Sequence, residues 1–226
     1  MPIKNNESST EAPLATCGEG TGVRFLLFLL FCFVSLTSIA QDSSFLKVHF
    51  LYGSKPKKEY RDTEKKWFGG ILGGHVGIEG DSSRTIDFGP QGKFHLIANN
   101  NNKHSKYTTH SISSFYSILG SNPDSVKKLV VYVPISKLQK QKFDSISAAY
   151  LHQSPYDYAF LGMRCGAATY EILGQLNILP AYSYRKTYEK IFYPKLLRKR
   201  LIAKAEKNGW KMERQEGTPR RIWEQD

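Results

Sequence analysis

An α+β domain is the fold class that this sequence predicts, on three observations. Runs rich in β-formers come first, at residues 45–52, 75–80, 84–88 and 93–98. Helix-forming stretches with apolar residues at helical spacing follow, and short strand-like segments close the chain. Strands and helices gathered into separate stretches in this way make mixed layers around one core.

The first forty residues stand apart. Residues 1–22 are polar and slightly acidic, with no pattern of an ordered element. Residues 25–40 form an uncharged apolar run, preceded by Arg24 and followed by Gln41. Ser38-Ile39-Ala40 fits the small-x-small rule of signal peptidase, so an exported chain cleaved after Ala40 is expected. Sixteen residues are short for a bilayer span, which needs about 20, so a membrane anchor over 25–40 is the alternative. A start at Val23 in place of Met1 would give a signal of more usual layout. Either way Cys17 and Cys32 leave with the signal, and Cys165 is the one cysteine that stays. A single domain is expected over 41–226, a length that supports a sizeable core without disulfides.

Along that domain, residues 45–52 alternate and read as a strand. Residues 53–66 read as a charged loop around Ser54-Lys55-Pro56-Lys57-Lys58. Residues 67–74 are apolar and rich in glycine, which lets backbone approach a site closely or turn a tight corner. Residues 75–80 and 84–88 read as a hairpin, and 93–98 as a third strand. A polar loop at 99–104 and a short helix at 111–119 follow. Residues 128–134 read as a buried strand. Residues 136–152 read as a helix capped by Ser136, with Leu138, Phe143, Ile146, Ala149 and Tyr150 as its apolar positions. Residues 166–176 form the helix after the cysteine, and 188–207 a basic helix broken at Pro194. Residues 210–215 and 220–223 are expected to close as a terminal hairpin.

Cys165 carries the strongest chemical signal. It stands at or just before a helix N-terminus, where free N–H groups and the helix dipole favour a thiolate. Gly166, Ala167 and Ala168 follow it, as a crowded nucleophile turn requires. The competing reading is an inert buried cysteine packed as a small hydrophobe. His75, flanked by glycines, is the candidate base, with His49 and His95 as competitors. A hairpin turning near Asp81 sets Asp87 about opposite His75, where a carboxylate would orient the imidazole. Glu79, on the same strand face as His75, is the other candidate for that role. Tyr156 is a candidate oxyanion donor beside the Cys165 N–H, against the alternative of a core aromatic.

No Walker-type phosphate loop and no His-Glu-x-x-His pair occur, and no second cysteine of the mature chain is available for a structural zinc, so no cofactor or metal is expected. Cleavage removes Lys4 and Arg24 against Glu7, Glu11 and Glu19, which moves the net charge from +12 to +13. A basic exported protein meets anionic polymers and lipid headgroups. Lys195, Arg198, Lys199, Arg200 and Lys204 on the basic helix are the candidate contacts for such a surface, and a solvated basic face is the alternative. No specific nucleic-acid partner is expected.

The order of motifs resembles a known group. A glycine-rich entry to His75-Val76-Gly77-Ile78 precedes a strand with a polar residue. Pro155-Tyr156-Asp157-Tyr158-x-Phe160 and Cys165-Gly166-Ala167-Ala168-x-Tyr170 follow. This arrangement, over residues 67–176, resembles the circularly permuted NlpC-like papain-fold proteins, among them the YiiX-like and lecithin retinol acyltransferase-like groups. The resemblance implies a papain-like sheet packed on the cysteine helix, Cys165 as nucleophile, His75 as base and Asp87 as the polar third residue. Many such proteins carry serine where this chain has Gly166, and some a second histidine where it has Asp87. They cleave peptide or amide bonds, or move acyl groups between lipids, and some have lost activity. The expected function is therefore an exported thiol hydrolase acting on an envelope amide such as cell-wall peptide. A lipid acyltransferase or phospholipase using the same residues is the first alternative, and a non-catalytic envelope-binding module the second.

Overall fold

The strand-forming runs assemble into a six-stranded antiparallel sheet in the computed structural model, which describes residues 44–80, 83–99 and 104–226. These all fall in one compact unit, Asp42–Asp226. The expected signal or anchor at 25–40 and the polar extension at 1–22 lie outside the described residues, as do Asp81, Ser82 and residues 100–103. No helix of the described residues is long and apolar enough to cross a membrane.

In chain order the strands are β1 (Ser44–Tyr52), β2 (Ser54–Pro56), β3 (Gly74–Glu79), β4 (Arg84–Pro90), β5 (His95–Ile97), β6 (Ser105–Ser111), β7 (Lys128–Ile135), β8 (Ala159–Leu161), β9 (Met212–Gln215) and β10 (Arg221–Trp223). The helices are α1 (Ile112–Tyr116), α2 (Lys137–His152), α3 (Cys165–Gln175), α4 (Tyr184–Lys190) and α5 (Pro194–Asn208). The main sheet runs β6-β4-β3-β1-β7-β9. Its class is α+β, as the segregation of elements predicts.

Register decides which side chains share a face. Val48 pairs with Ile78 and Val131, and Phe50 with Val76 and Leu129. Period-two alternation then gathers Leu46, Val48, Phe50, Val76, Ile78, Ile86, Phe88, Leu129, Val131 and Val133 on one face, all buried. The opposite face is different. Lys47, His49, His75, Gly77, Glu79, Thr85 and Asp87 share it, and most of them are buried polar residues. A core strand face built from histidines and carboxylates has to be covered and hydrogen-bonded. Phe115 and Tyr116 of α1 cover part of it, with rings against His49 and His75.

The helices follow their local signals. Ser136 caps α2 in a reciprocal capping box with Gln139, which ties down two free backbone N–H groups. Phe143 and Ile146 are its buried residues, whereas Leu138 and Ala149, expected inside, are exposed. Pro194 separates the basic stretch into α4 and α5 and takes the first turn of α5, where its missing N–H costs nothing. α3 packs on β3, β4 and α5.

Four expectations need correction. The loop at 53–66 contains β2, which pairs with β10. The terminal hairpin does not form: β9 extends the main sheet against β7 and β10 leaves it for β2. Arg221 draws β10 there, because its guanidinium bonds Ser54, Glu64 and the Lys65 carbonyl. The strand at 93–98 shortens to β5 and pairs in parallel with β8, away from the main sheet. The fourth is β6, an edge strand in the stretch left without an element between the loop at 99–104 and the helix at 111–119.

Candidate active site

The first residue of α3 is Cys165, only 3% exposed. The approach to it is a tight loop. Ala159 N–H donates to the Met163 carbonyl at 3.2 Å, and Tyr158 bridges Met163. Arg164 is the extended residue before the helix. Gly166 meets α5 directly: a Cβ there would lie 3.0 Å from Pro194 Cα, a tight contact that α5 would have to yield to. The small residue after the cysteine therefore serves helix packing.

His75 faces Cys165 from β3. Its Nε2–H donates to Asp87 Oδ1 at 2.9 Å, so Nδ1 is the nitrogen left for the sulfur. The register explains how they meet. Asp87 pairs with Gly77, two residues from the expected partner His75. A shift of two keeps both side chains on the same face, and they meet diagonally. Gly77 makes this work: a Cβ there would come within 2.9 Å of the Phe115 ring and 3.2 Å of Asp87 Cβ. Pairing of β3 with β4 stops at Gly77, while β3 continues with β1 to Gly74 and β4 continues with β6 to Pro90. The two strands thus part on the His75 side, and the site lies at that fork.

Burial opposes charge on His75. The Asp87 carboxylate and the Cys165 sulfur outweigh it, and together they hold the imidazole pKa up at about 10. Asp87 has a second histidine neighbour. His110 Nε2, on β6, lies 3.5 Å from Asp87 Oδ2, an oxygen that accepts no hydrogen bond among the described residues. His110 reads as a surface residue in sequence, because β6 itself is not evident there.

Tyr156 lies elsewhere. Its hydroxyl bonds that of Tyr107, and its ring packs on Phe88 and Tyr150, so the core-aromatic alternative describes its place. Tyr158, two residues on, takes the position expected of Tyr156. It lines the cavity with Cys165, near enough for the sulfur and the backbone N–H of Cys165 both to act on its phenol. Burial first, then the Cys165 sulfur, raises the pKa of this phenol far above its ordinary value, so it stays protonated as a donor.

The competing residues are engaged apart from Cys165. His49 bonds Glu79 at 2.7 Å and Tyr116 at 2.8 Å. Glu79 also accepts from Lys47 at 2.7 Å, which takes it out of reach as a partner for His75. His95 bonds Asp157 at 2.6 Å, and Asp157 also accepts from Ser105 and the Asn99 N–H. That carboxylate ties the loop before β8 to β5 and β6.

Cys165, His75, Asp87, His110, Tyr158 and Arg164 line one cavity of about 630 Å³. Its other walls are mainly apolar: Phe68, Leu72, Phe94, Ile118, Leu119, Phe160 and Pro194. Phe68 is 75% exposed and Leu72 52%, so the mouth itself is apolar. Gly74 shapes the entry. Its φ of +89° and its contact with the Leu51 carbonyl exclude a side chain. No cluster of three metal-ligating side chains occurs among the described residues.

The basic helix differs from expectation at one residue. Arg198 is fully buried and paired with Glu224 and Asp226, so it faces no external surface. Lys199 is exposed and Lys195, Arg200 and Lys204 half-buried, with Arg200 donating to Tyr182. Comparison of the chain with protein-family models, with curated proteins and with solved structures gave no match.

Proposed function

We propose that this protein is a thiol hydrolase that passes an acyl group through Cys165. The carrying observation is the row Cys165–His75–Asp87 on the wall of one cavity, with Tyr158 on the other side of the sulfur. Below about pH 10 the thiol proton rests on His75, and Cys165 Sγ attacks a carbonyl carbon as the sulfur partner of that imidazolium. The oxyanion forms beside the Cys165 N–H and the Tyr158 hydroxyl. His75 returns its proton to the leaving amine or alkoxide, and water then releases the acyl group from sulfur. Asp87 orients His75 and stabilises the imidazolium. The histidine strand precedes the cysteine helix, and the helix packs on that strand. This order supports the permuted NlpC-like reading of the α+β fold.

Two substrate readings divide on the cavity walls. Cell-wall peptide fits an exported amide hydrolase. The apolar lining favours a hydrocarbon acyl group, as in a lipid ester. The deciding experiment incubates the protein with muropeptides and, separately, with phospholipid vesicles, and reads products by mass spectrometry with Cys165→Ala as the blank. Release from neither, with tight binding to one, would move the protein to the class of binding modules.

The proton of His75 sets the expected pH dependence. A p-nitroanilide needs that proton on its leaving amine, so kcat/KM should hold until His75 titrates, near pH 10, and then fall. Asp87→Asn should draw this alkaline limb down towards 6.5, the ordinary histidine value. An alkaline limb that ignores Asp87→Asn would remove Asp87 from the mechanism. Linkage runs in the same direction. Because the folded pKa of His75 is raised, its contribution to stability is whole below pH 6.5 and is lost as pH rises through about 10.

Export belongs to the same proposal. Mature protein isolated from the cell envelope should begin at Gln41 on N-terminal sequencing. Recovery of a soluble form that keeps residues 25–40 would overturn it.

A further inference from the structure

Among the described residues the cavity contains one carboxylate, Asp87, which His75 already engages. Against it, among the same residues, stand two arginine or lysine side chains, Lys106 and Arg164. Lys106 is exposed to water, whereas Arg164 is held in place. Its guanidinium carbon lies 3.8 Å from the Phe192 ring centroid, 5.1 Å from that of Tyr193 and 5.3 Å from that of Phe160. No described residue forms an ion pair or hydrogen bond with it, and its Nη2 is buried without an acceptor. Burial lowers its pKa, and the groups that oppose this are the Tyr158 phenol, the Cys165 sulfur and the Tyr193 phenol, none of them a carboxylate. Arg198 and Arg221 also leave one buried nitrogen each without an acceptor, but both pair with carboxylates, Arg198 with Glu224 and Asp226 and Arg221 with Glu64, whereas Arg164 has no carboxylate partner among the described residues. A partly desolvated guanidinium stacked on aromatics, facing a cavity and lacking an acceptor, is built to receive a planar oxyanion.

We propose that Arg164 is the anion-recognition residue of this cavity. The compound that acylates Cys165 carries a carboxylate or phosphate that pairs with the guanidinium. Its hydrocarbon part lies along Phe68, Leu72, Phe94 and Ile118. Arg164 and Cys165 are chain neighbours, so the charged group sits close to the carbonyl under attack. This inference rests on Cys165 as the nucleophile. It defines the substrate class as an anionic amphiphile, which neither a neutral ester nor a purely polar peptide satisfies.

Alkylation of Cys165 separates the inference from that reading. Iodoacetamide and iodoacetate are of similar size and differ in charge. The ratio of their rates, read by mass spectrometry of the Cys165 peptide, cancels any general change in thiol reactivity. Arg164→Gln should lower the iodoacetate-to-iodoacetamide ratio by about tenfold, the size of one charge-assisted hydrogen bond. Arg164→Lys should keep most of it. A second measurement uses the unaltered protein. Hexanoate and hexyl phosphate should protect Cys165 from iodoacetamide at lower concentration than hexanol or acetate, and the better of the two anions identifies carboxylate or phosphate. A ratio unmoved in Arg164→Gln, or protection by hexanol equal to that by the anions, overturns the role of Arg164 and leaves the thiol mechanism standing. Failure of both reagents to label Cys165 in the folded protein overturns the thiol mechanism, and the inference with it.

Discussion

Cys165→Ala and His75→Ala should each lower hydrolysis of a p-nitroanilide by about four orders of magnitude, and the double variant should be little worse than either. The expectation follows from one shared step. The sulfur attacks with its proton held on His75, which then passes it to the leaving amine, so removal of either partner removes the same transition-state interaction. His75 has no substitute within reach: His49 and His95 are held by Glu79 and Asp157, and His110 meets the far oxygen of Asp87. Asp87→Asn should cost less, because the amide still accepts from Nε2 while giving up the charge that stabilises the imidazolium. Tyr158→Phe should cost about a hundredfold to a thousandfold, as loss of one oxyanion donor does, and Tyr156→Phe should leave turnover near normal. Additive losses in the double variant, with circular dichroism unchanged, would mean that the two residues do not act as a unit. Equal losses in Tyr156→Phe and Tyr158→Phe would remove the distinction drawn between a core phenol and a site phenol.

The elements legible in the sequence are those whose signals are local. β1, β3, β4 and β7 announce themselves by β-branched and aromatic runs, α2 by its Ser136 cap, and the start of α5 by Pro194. The elements that sequence reading misses depend on partners far along the chain. β6 reads Ser-Lys-Tyr-Thr-Thr-His-Ser, with one apolar side chain, so its periodicity is mute. Its threonines and Tyr107 are β-formers, and that was the signal available. The misplaced hairpin has a related cause. β9 and β10 are neighbours in sequence, yet β10 is drawn to β2 by Arg221, whose acceptors lie about 160 residues upstream.

The site divides along the same line. A cysteine followed by small residues at a helix start, and a glycine-flanked histidine on a strand, are visible without neighbours. The choice between Asp87 and Glu79 is a matter of register, which the chain sets through contacts with β1 and β6. Tyr156 and Tyr158 differ by one alternation period in a short irregular loop, and nothing local says which one turns to the sulfur. Arg198 had a readable signal. It falls on the stripe Pro194, Leu197, Leu201, Ala205 that α5 buries, so helical spacing alone places it inside.

Arg198→Met should destabilise the fold by about 3–5 kcal/mol, because it leaves a buried carboxylate without its counter-charge. The guanidinium donates to Glu224 Oε2 and Asp226 Oδ1, both at 2.8 Å, and stacks on the Tyr52 ring. Glu224 is 2% exposed, and its other oxygen has no partner among the described residues. Burial already raises its pKa, and Arg198 is the main influence pulling it back. Without Arg198 the pKa rises further, so the folded state of the variant binds a proton that the unfolded state releases. The sign follows: the deficit of Arg198→Met should be largest near neutral pH and should shrink as pH falls towards about 5. Adding Glu224→Gln should recover part of the loss, since a neutral amide is cheaper to bury than an unpaired carboxylate. Asp226 should matter less. It lies nearer the surface and keeps Arg214 at 2.8 Å and the Tyr52 hydroxyl at 2.7 Å when Arg198 is gone. Urea unfolding at two pH values reads all three effects. A deficit independent of pH, or one that Glu224→Gln deepens, would show that Arg198 stabilises the fold by filling space over Tyr52 and not by holding Glu224.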